Sequence, residues 1–125
     1  MALGQVAAAD LWQAASEGNF RLEEGAAHEL AGHYQWFADE MVKRQQEIQL
    51  QQRLQGFGSL ESAKRLQSGF EQKAIQAYNA LIDAEASALR MKAAILRAAN
   101  LTDEVEAANT AVINAINGKF SDGKA

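Results

Sequence analysis

The chain has 125 residues, a formal net charge of −4, no cysteine and no proline. Its length supports one domain able to bury roughly two-thirds of its unfolded surface, and the lack of cysteine excludes a disulfide framework and thiol chemistry. Charges of both signs are interspersed, which excludes the basic stripe that nucleic-acid binding needs, and no window approaches the ~20 continuous apolar residues of a membrane-spanning helix.

Proline removes a backbone donor and clashes with the preceding turn, so a chain without it can form long helices. Ala, Gln, Glu and Leu, all good helix formers, dominate the composition. The expected fold is all-α: a long antiparallel helical hairpin with a short N-terminal helix, in a bundle completed by oligomerisation. Residues 1–118 form one domain on this reading. Met1 to Gln5 lacks the basic stretch followed by an apolar run that marks a cleaved signal peptide, so a cytoplasmic location before any export is expected.

Residues 6–17 read as the short first helix, with Leu11, Trp12 and Ala15 as its apolar face and Gly18-Asn19 as its stop. Phe20 and Leu22 follow in a brief extended piece. The second helix is expected over 22–55, where Glu23 and Glu24 complement the positive end of the helix dipole. Its apolar positions are Leu22, Ala26, Leu30, His33 or Tyr34, Phe37, Met41 and Ile48. Gly25 and Gly32 each cost roughly 1 kcal/mol relative to alanine, so they mark either close approach of another helix or simple tolerance.

Gly56, Phe57, Gly58 and Ser59 form the expected hairpin turn, with Ser59 as N-cap and Glu61 in the first turn behind it. Phe57, between two glycines, either plugs the end of the hairpin or is presented to a partner. A long third helix is expected over 60–117. One row of it reads Leu66, Phe70, Ala74, Ala77, Leu81, Ala84, Ala88, Met91, Ile95 and Ala98, continued by Val105, Val112 and Ile116. A second row, about 100° around the axis, reads Ile75, Tyr78, Ile82, Ala86, Leu89, Ala93 and Leu96.

Together these rows are wider than one partner helix covers. The first is assigned to the antiparallel helix of the hairpin, and the second to the N-terminal helix, a second subunit, or both. Ile75, Tyr78, Ile82, Leu89 and Leu96 are therefore the candidate oligomer interface. Asn100 to Glu104 contains capping residues and acids that fit a kink, a restart or an exposed turn; a helix that is continuous or gently kinked near 100–103 is expected, because Val105, Val112 and Ile116 keep the register. Asn117-Gly118 closes the helix, leaving 119–125 as a flexible tail.

No constellation for catalysis, cofactor or metal binding emerges, so no enzyme is expected. His28 and His33 are five residues apart, about 140° around a helix, unlike the one-face pair of the His-Glu-x-x-His zinc motif. Glu24 with His28, and Glu29 with His33, have the spacing of intrahelical pairs instead. Glu-x-x-His, the di-iron bundle motif, is absent. Glu40, Glu71, Asp83 and Glu85 have polar helical neighbours and read as a solvated face. Gly56-Phe57-Gly58 follows no strand and lacks the lysine of a phosphate loop. Trp12, Tyr34, Trp36 and Phe37 read as core, with Trp36 about 100° around the helix from Phe37.

A small acidic chain with a long hairpin around an aromatic-glycine turn resembles the Trp-x-Gly helical-hairpin superfamily, substrates and partners of the actinobacterial type VII (ESX-type) secretion system. Gly56-Phe57-Gly58-Ser59 stands in for Trp-x-Gly. Leu66 and Phe70, Leu89-Arg90, Ala93-Ala94 and Ala115-Ile116-Asn117-Gly118-Lys119-Phe120 look closer to the secreted, EspC-like branch. The family's Tyr-x-x-x-Asp/Glu export signal is not matched, since Tyr78 is followed by Ile82 at the critical position and Asp83 one residue late. The resemblance implies a non-catalytic protein, secreted or envelope-associated after export, that pairs as a homodimer or heterodimer with a similar helical protein or an effector's helical leader. The secretion machinery would recognise that complex. The competing expectation is a cytosolic, self-associating adaptor bundle. An amphipathic membrane-surface helix is disfavoured by the mixed charge of the polar faces.

Overall fold

The computed structural model describes residues 2–51 and 61–123, with side chains over 5–50 and 61–117. It contains α1 (Ala2–Ser16), α2 (Glu24–Gln51), α3 (Glu61–Ala98) and α4 (Thr102–Gly123), and no strand among the described residues. The expected turn at Gly56, Phe57, Gly58 and Ser59 lies outside the described residues.

Two helix ends share one backbone device. At the end of α1, Gly18 has φ +80°, its N–H donates to Ala15 O at 3.2 Å, and Asn19 N–H donates to Ala14 O at 2.9 Å. At the end of α3, Asn100 has φ +57°, its N–H donates to Arg97 O at 3.0 Å, and Leu101 N–H donates to Leu96 O at 3.2 Å. Each is a left-handed residue closing a helix through paired 5→2 and 6→1 hydrogen bonds, the Schellman arrangement. The expected Gly18 stop is therefore present, one residue beyond the expected helix.

The second device corrects the long third helix. The chain does not bend gently near 100–103: α3 ends at Ala98 and α4 starts at Thr102, with Asp103 and Glu104 in its first turn. The chain folds back on itself there, because one core cluster joins Ala93, Ile95 and Leu96 to Val105 and Ala108, and the next joins Ala86, Ala88 and Leu89 to Val112 and Ala115. The 4-3 register persists past the break because α4 turns its own apolar row toward α3. A second correction concerns the C-terminus, where α4 continues through Asn117-Gly118 to Gly123.

Helix α2 runs antiparallel to α3. Leu22 N–H donates to Ala98 O at 3.1 Å, Lys92 Nζ donates to Gln35 Oε1 at 2.8 Å, and Gln45 Nε2 donates to Glu85 Oε1 at 3.0 Å. Backbone of α3 comes within 8 Å of α1, α2 and α4, while no other pair of helices among the described residues approaches so closely. A helix surrounded in this way must be small or apolar on most sides, and the C-terminal half of α3 is, with Glu85 as an exception. Glu85 to Leu89 is buried without interruption, as is Ala93 to Leu96.

The row that faces the core differs from the expected one in α2. On α2 the buried positions are Ala27, Ala31, Ala38 and Gln45, with Tyr34 half-buried beside them, whereas Ala26, Leu30 and Phe37 are exposed. Alanine wins these positions because α2 lies close to an alanine-rich α3, where a larger side chain would overpack the seam. On α3 the second row is buried within the chain at Tyr78, Ile82, Ala86, Leu89, Ala93 and Leu96, and Ala74, Ala88, Ile95 and Ala98 of the first row are buried as well. Burying Ile82 and Leu96 fully contributes roughly 1.5–3 kcal/mol each. Gly25 and Gly32 are not sites of close approach, since a Cβ at either would meet nothing within 4 Å.

Candidate helix-docking groove

The apolar surface left over by this packing gathers along one seam between α2 and α3. Its first stretch is a cleft of about 480 Å³ lined by His33, Tyr34, Trp36 and Phe37 of α2 and by Ala84, Ser87, Ala88 and Met91 of α3. Its second stretch, about 530 Å³, is lined by Arg44, Glu47 and Ile48 of α2 and by Ala77, Ala80, Leu81 and Ala84 of α3. Ala84 belongs to both, so they form one groove. From Ala77 to Met91 the floor runs for about 21 Å at 1.5 Å per residue.

Geometry explains the composition. Ala77, Leu81, Ala84, Ala88 and Met91 are the first row of α3, at helical spacings of four and three. Ala77 of this row is exposed, Leu81, Ala84 and Met91 are half-buried and Ala88 is buried beneath them, so its alanines make a shallow floor. On α2, inward-facing Ala27, Ala31 and Ala38 turn Leu30, Trp36 and Phe37 toward solvent, where Trp36 is 64% and Phe37 41% exposed. Exposed Leu66 (62%) and Phe70 extend the same row of α3.

Charges along the α2 wall are paired among themselves. Lys43 Nζ lies 2.8 Å from Glu40 Oε2, and Arg44 Nη1 donates to Glu47 Oε1 at 2.9 Å. The hydrogen bond from Lys43 holds the Glu40 carboxyl below its ordinary range and raises the Lys43 ammonium. Gln35 accepts from Lys92 and donates to Asp39 at 2.9 Å. Apolar floor and self-paired rim together suit recognition by shape and hydrophobic contact.

The candidate interface residues fall differently. Tyr78, Ile82, Leu89 and Leu96 are closed inside the chain by α1, α2 and α4, and only Ile75, at 38%, is exposed. No second subunit is needed to cover that row. Among the expected core aromatics, Tyr34 and Trp12 are half-buried against the core, whereas Trp36 and Phe37 face out. Glu85 is not on a solvated face: it is buried and accepts the bond from Gln45. His28 pairs across the bundle with Glu104 at 2.9 Å, and the hydrogen bond is with this residue, not with Glu24. That bond raises the His28 pKa above its ordinary value, against a smaller desolvation effect, with Glu104 and Glu24 charges adding to the rise. No group of three or more His, Cys, Asp or Glu side chains gathers into a potential metal site among the described residues, and no described helix is long and apolar enough to cross a membrane.

The groove residues Trp36 and Phe37 were readable as apolar but not as exposed. The available signal was the width of the α2 arc, where Ala27, Ala31 and Ala38 form a complete small-residue row beside the large one. The chain matches no protein-family model, no curated protein sequence and no solved structure.

Proposed function

We propose that this protein acts by binding, not catalysis, and that it takes an amphipathic helix of a partner into the α2–α3 groove, as a type VII secretion-associated substrate or partner. The observation that carries the binding mode is the row Ala77, Leu81, Ala84 and Met91, exposed or half-buried and flanked by Trp36 and Phe37. A helix laid in such a groove reads it through anchors at i, i+3, i+4 and i+7, and about 21 Å of floor matches roughly four turns of it. Exposed aromatics beside small residues are the usual setting of binding hot spots. The secretion link rests on the sequence resemblance after Gly56 and on the unmatched tyrosine-acid signal, which implies export together with a partner that supplies that signal.

The test is affinity purification from the native host, followed by fractionation with and without a working secretion ATPase. A helical partner lost on Trp36→Ala or Phe37→Ala, with release into the medium that requires the ATPase, is the expected result. Recovery of only the protein itself, with unchanged distribution between cells and medium, identifies a cytosolic self-associating adaptor instead.

A further inference from the structure

The row of α3 that floors the groove continues beyond it. Toward the start of the helix it passes through Phe70 and Leu66, both exposed. One end of the row therefore carries large side chains, while the other, from Ala77 to Met91, is a shallow floor beside Trp36 and Phe37. The two ends match about Ala77. Leu66 lies eleven residues before it and Ala88 eleven after; Phe70 and Ala84 lie seven before and seven after. Ala63 and Met91 lie fourteen away on either side. Two α3 helices crossing antiparallel at Ala77 thus set Leu66 over Ala88, Phe70 against Ala84 and Met91 against Ala63, a large side chain opposite a small one each time.

We infer that a second copy of this chain fills the groove, its α3 laid antiparallel on the first with Ala77 at the two-fold axis. This rests on reading the α2–α3 seam as a helix-docking groove, and it names the helix that occupies it until a partner competes for the same floor. A two-fold contact makes every large-to-small fit twice, and alanine at the crossing point lets the helix axes approach closely. Charge is complementary as well. Residues 61–73 of α3 carry three basic and two acidic side chains, and residues 39–47 of the α2 wall carry three acidic and two basic. The pairing lays the first segment along the second, so opposite net charges meet. Trp36, Phe37, Leu66 and Phe70 together expose about 400 Å² per copy, taking roughly 150–250 Å² for a whole large side chain. Two copies cover that area twice, and a strip of about 42 Å from Ala63 to Met91 adds floor and rim atoms toward the roughly 1,200–2,000 Å² of a stable interface.

The chain has no cysteine, so single substitutions in the full chain report the register. Under oxidation with diamide, Ala77→Cys is expected to form a disulfide-linked dimer, because its two copies meet at the axis. Phe70→Cys alone is not: its copies lie about 21 Å apart along the helix, and a disulfide needs Cα atoms within roughly 7 Å. An equimolar mixture of Phe70→Cys and Ala84→Cys cross-links. Light scattering at micromolar concentration is expected to give a dimer for the wild type. Leu66→Glu, at an exposed position, raises the dimer Kd at least about tenfold with unchanged far-UV circular dichroism. A monomeric wild type, a dimer that folded Leu66→Glu leaves equally tight, or Phe70→Cys cross-linking alone as fast as Ala77→Cys overturns the inference. Partner capture then judges the groove separately. If the wild type is monomeric and Trp36→Ala still loses the partner, the groove stands and only the second copy falls; if capture is unchanged too, both fall.

Discussion

Gln45 on α2 hands its amide N–H to the carboxylate of Glu85 on α3, across 3.0 Å, with both residues buried. A buried carboxylate is tolerated only while donors face it. Gln45→Leu keeps most of the volume and removes this donor, so it lowers stability by about 1.5–3 kcal/mol, the usual worth of a hydrogen bond to a charged group. Urea unfolding at neutral pH measures it. A midpoint identical to wild type would show that water replaces the amide.

The His28–Glu104 pair ties the start of α2 to the start of α4. Because folding raises the His28 pKa, the stability it contributes is fully present below the ordinary value of 6.5 and is lost as pH rises through the higher folded value. The melting temperature of wild type should therefore decline relative to His28→Gln as pH rises past the ordinary value of 6.5. Parallel profiles for the two proteins would remove the pair from the account. The exposed setting keeps the effect small.

Ile82 is fully buried within the chain. An aspartate there places a charge among apolar side chains with no partner, at a cost of about 4–5 kcal/mol, the upper end for single substitutions. Ile82→Asp is expected to lose helical circular dichroism. A folded Ile82→Asp protein with a reduced oligomeric state would instead restore the row to a subunit interface.

Trp36 gives the opposite expectation. At 64% exposure it carries little folding energy, so Trp36→Ala shifts stability by no more than about 0.5 kcal/mol. As a binding anchor its loss weakens partner association by about 2 kcal/mol, roughly thirtyfold. Denaturation and partner titration on the same variant separate the two roles.

Asn100 holds the left-handed conformation that ends α3. Asn100→Val is expected to cost about 1–2 kcal/mol, because a branched Cβ crowds the following carbonyl there, whereas Asn100→Gly is close to neutral. Equal stability of the two variants would mean that the chain turns by another route.

Helix content, the Gly18 stop and the two rows of α3 were legible because each depends on local spacing or on one residue's conformational freedom. The facing of those rows was not. Leu30 and Phe37 outrank Ala27, Ala31 and Ala38 by hydrophobicity, yet distance between helix axes decides which row goes inward, and that distance is a property of the pair of helices. The capping residues from Asn100 marked the place of the break but not the reversal of the chain: Val105 and Val112 face α3 again from the returning α4, so their spacing mimics uninterrupted helix. Glu85 looked solvated because its donor, Gln45, is forty residues away in sequence.

The arrangement of three helices around one also sets the order in which the fold loosens. Because α1, α2 and α4 approach α3 more closely than they approach one another, one outer helix detaches by leaving α3 and breaking the few side-chain links among the outer helices, such as His28–Glu104. Amide protons in Glu85 to Leu96 of α3 are released only when the whole structure opens, while those of the outer helices escape through smaller, separate openings. A partner that seats against α2 and α3 would then slow exchange in α2 most, drawing an outer helix into the unit that opens last.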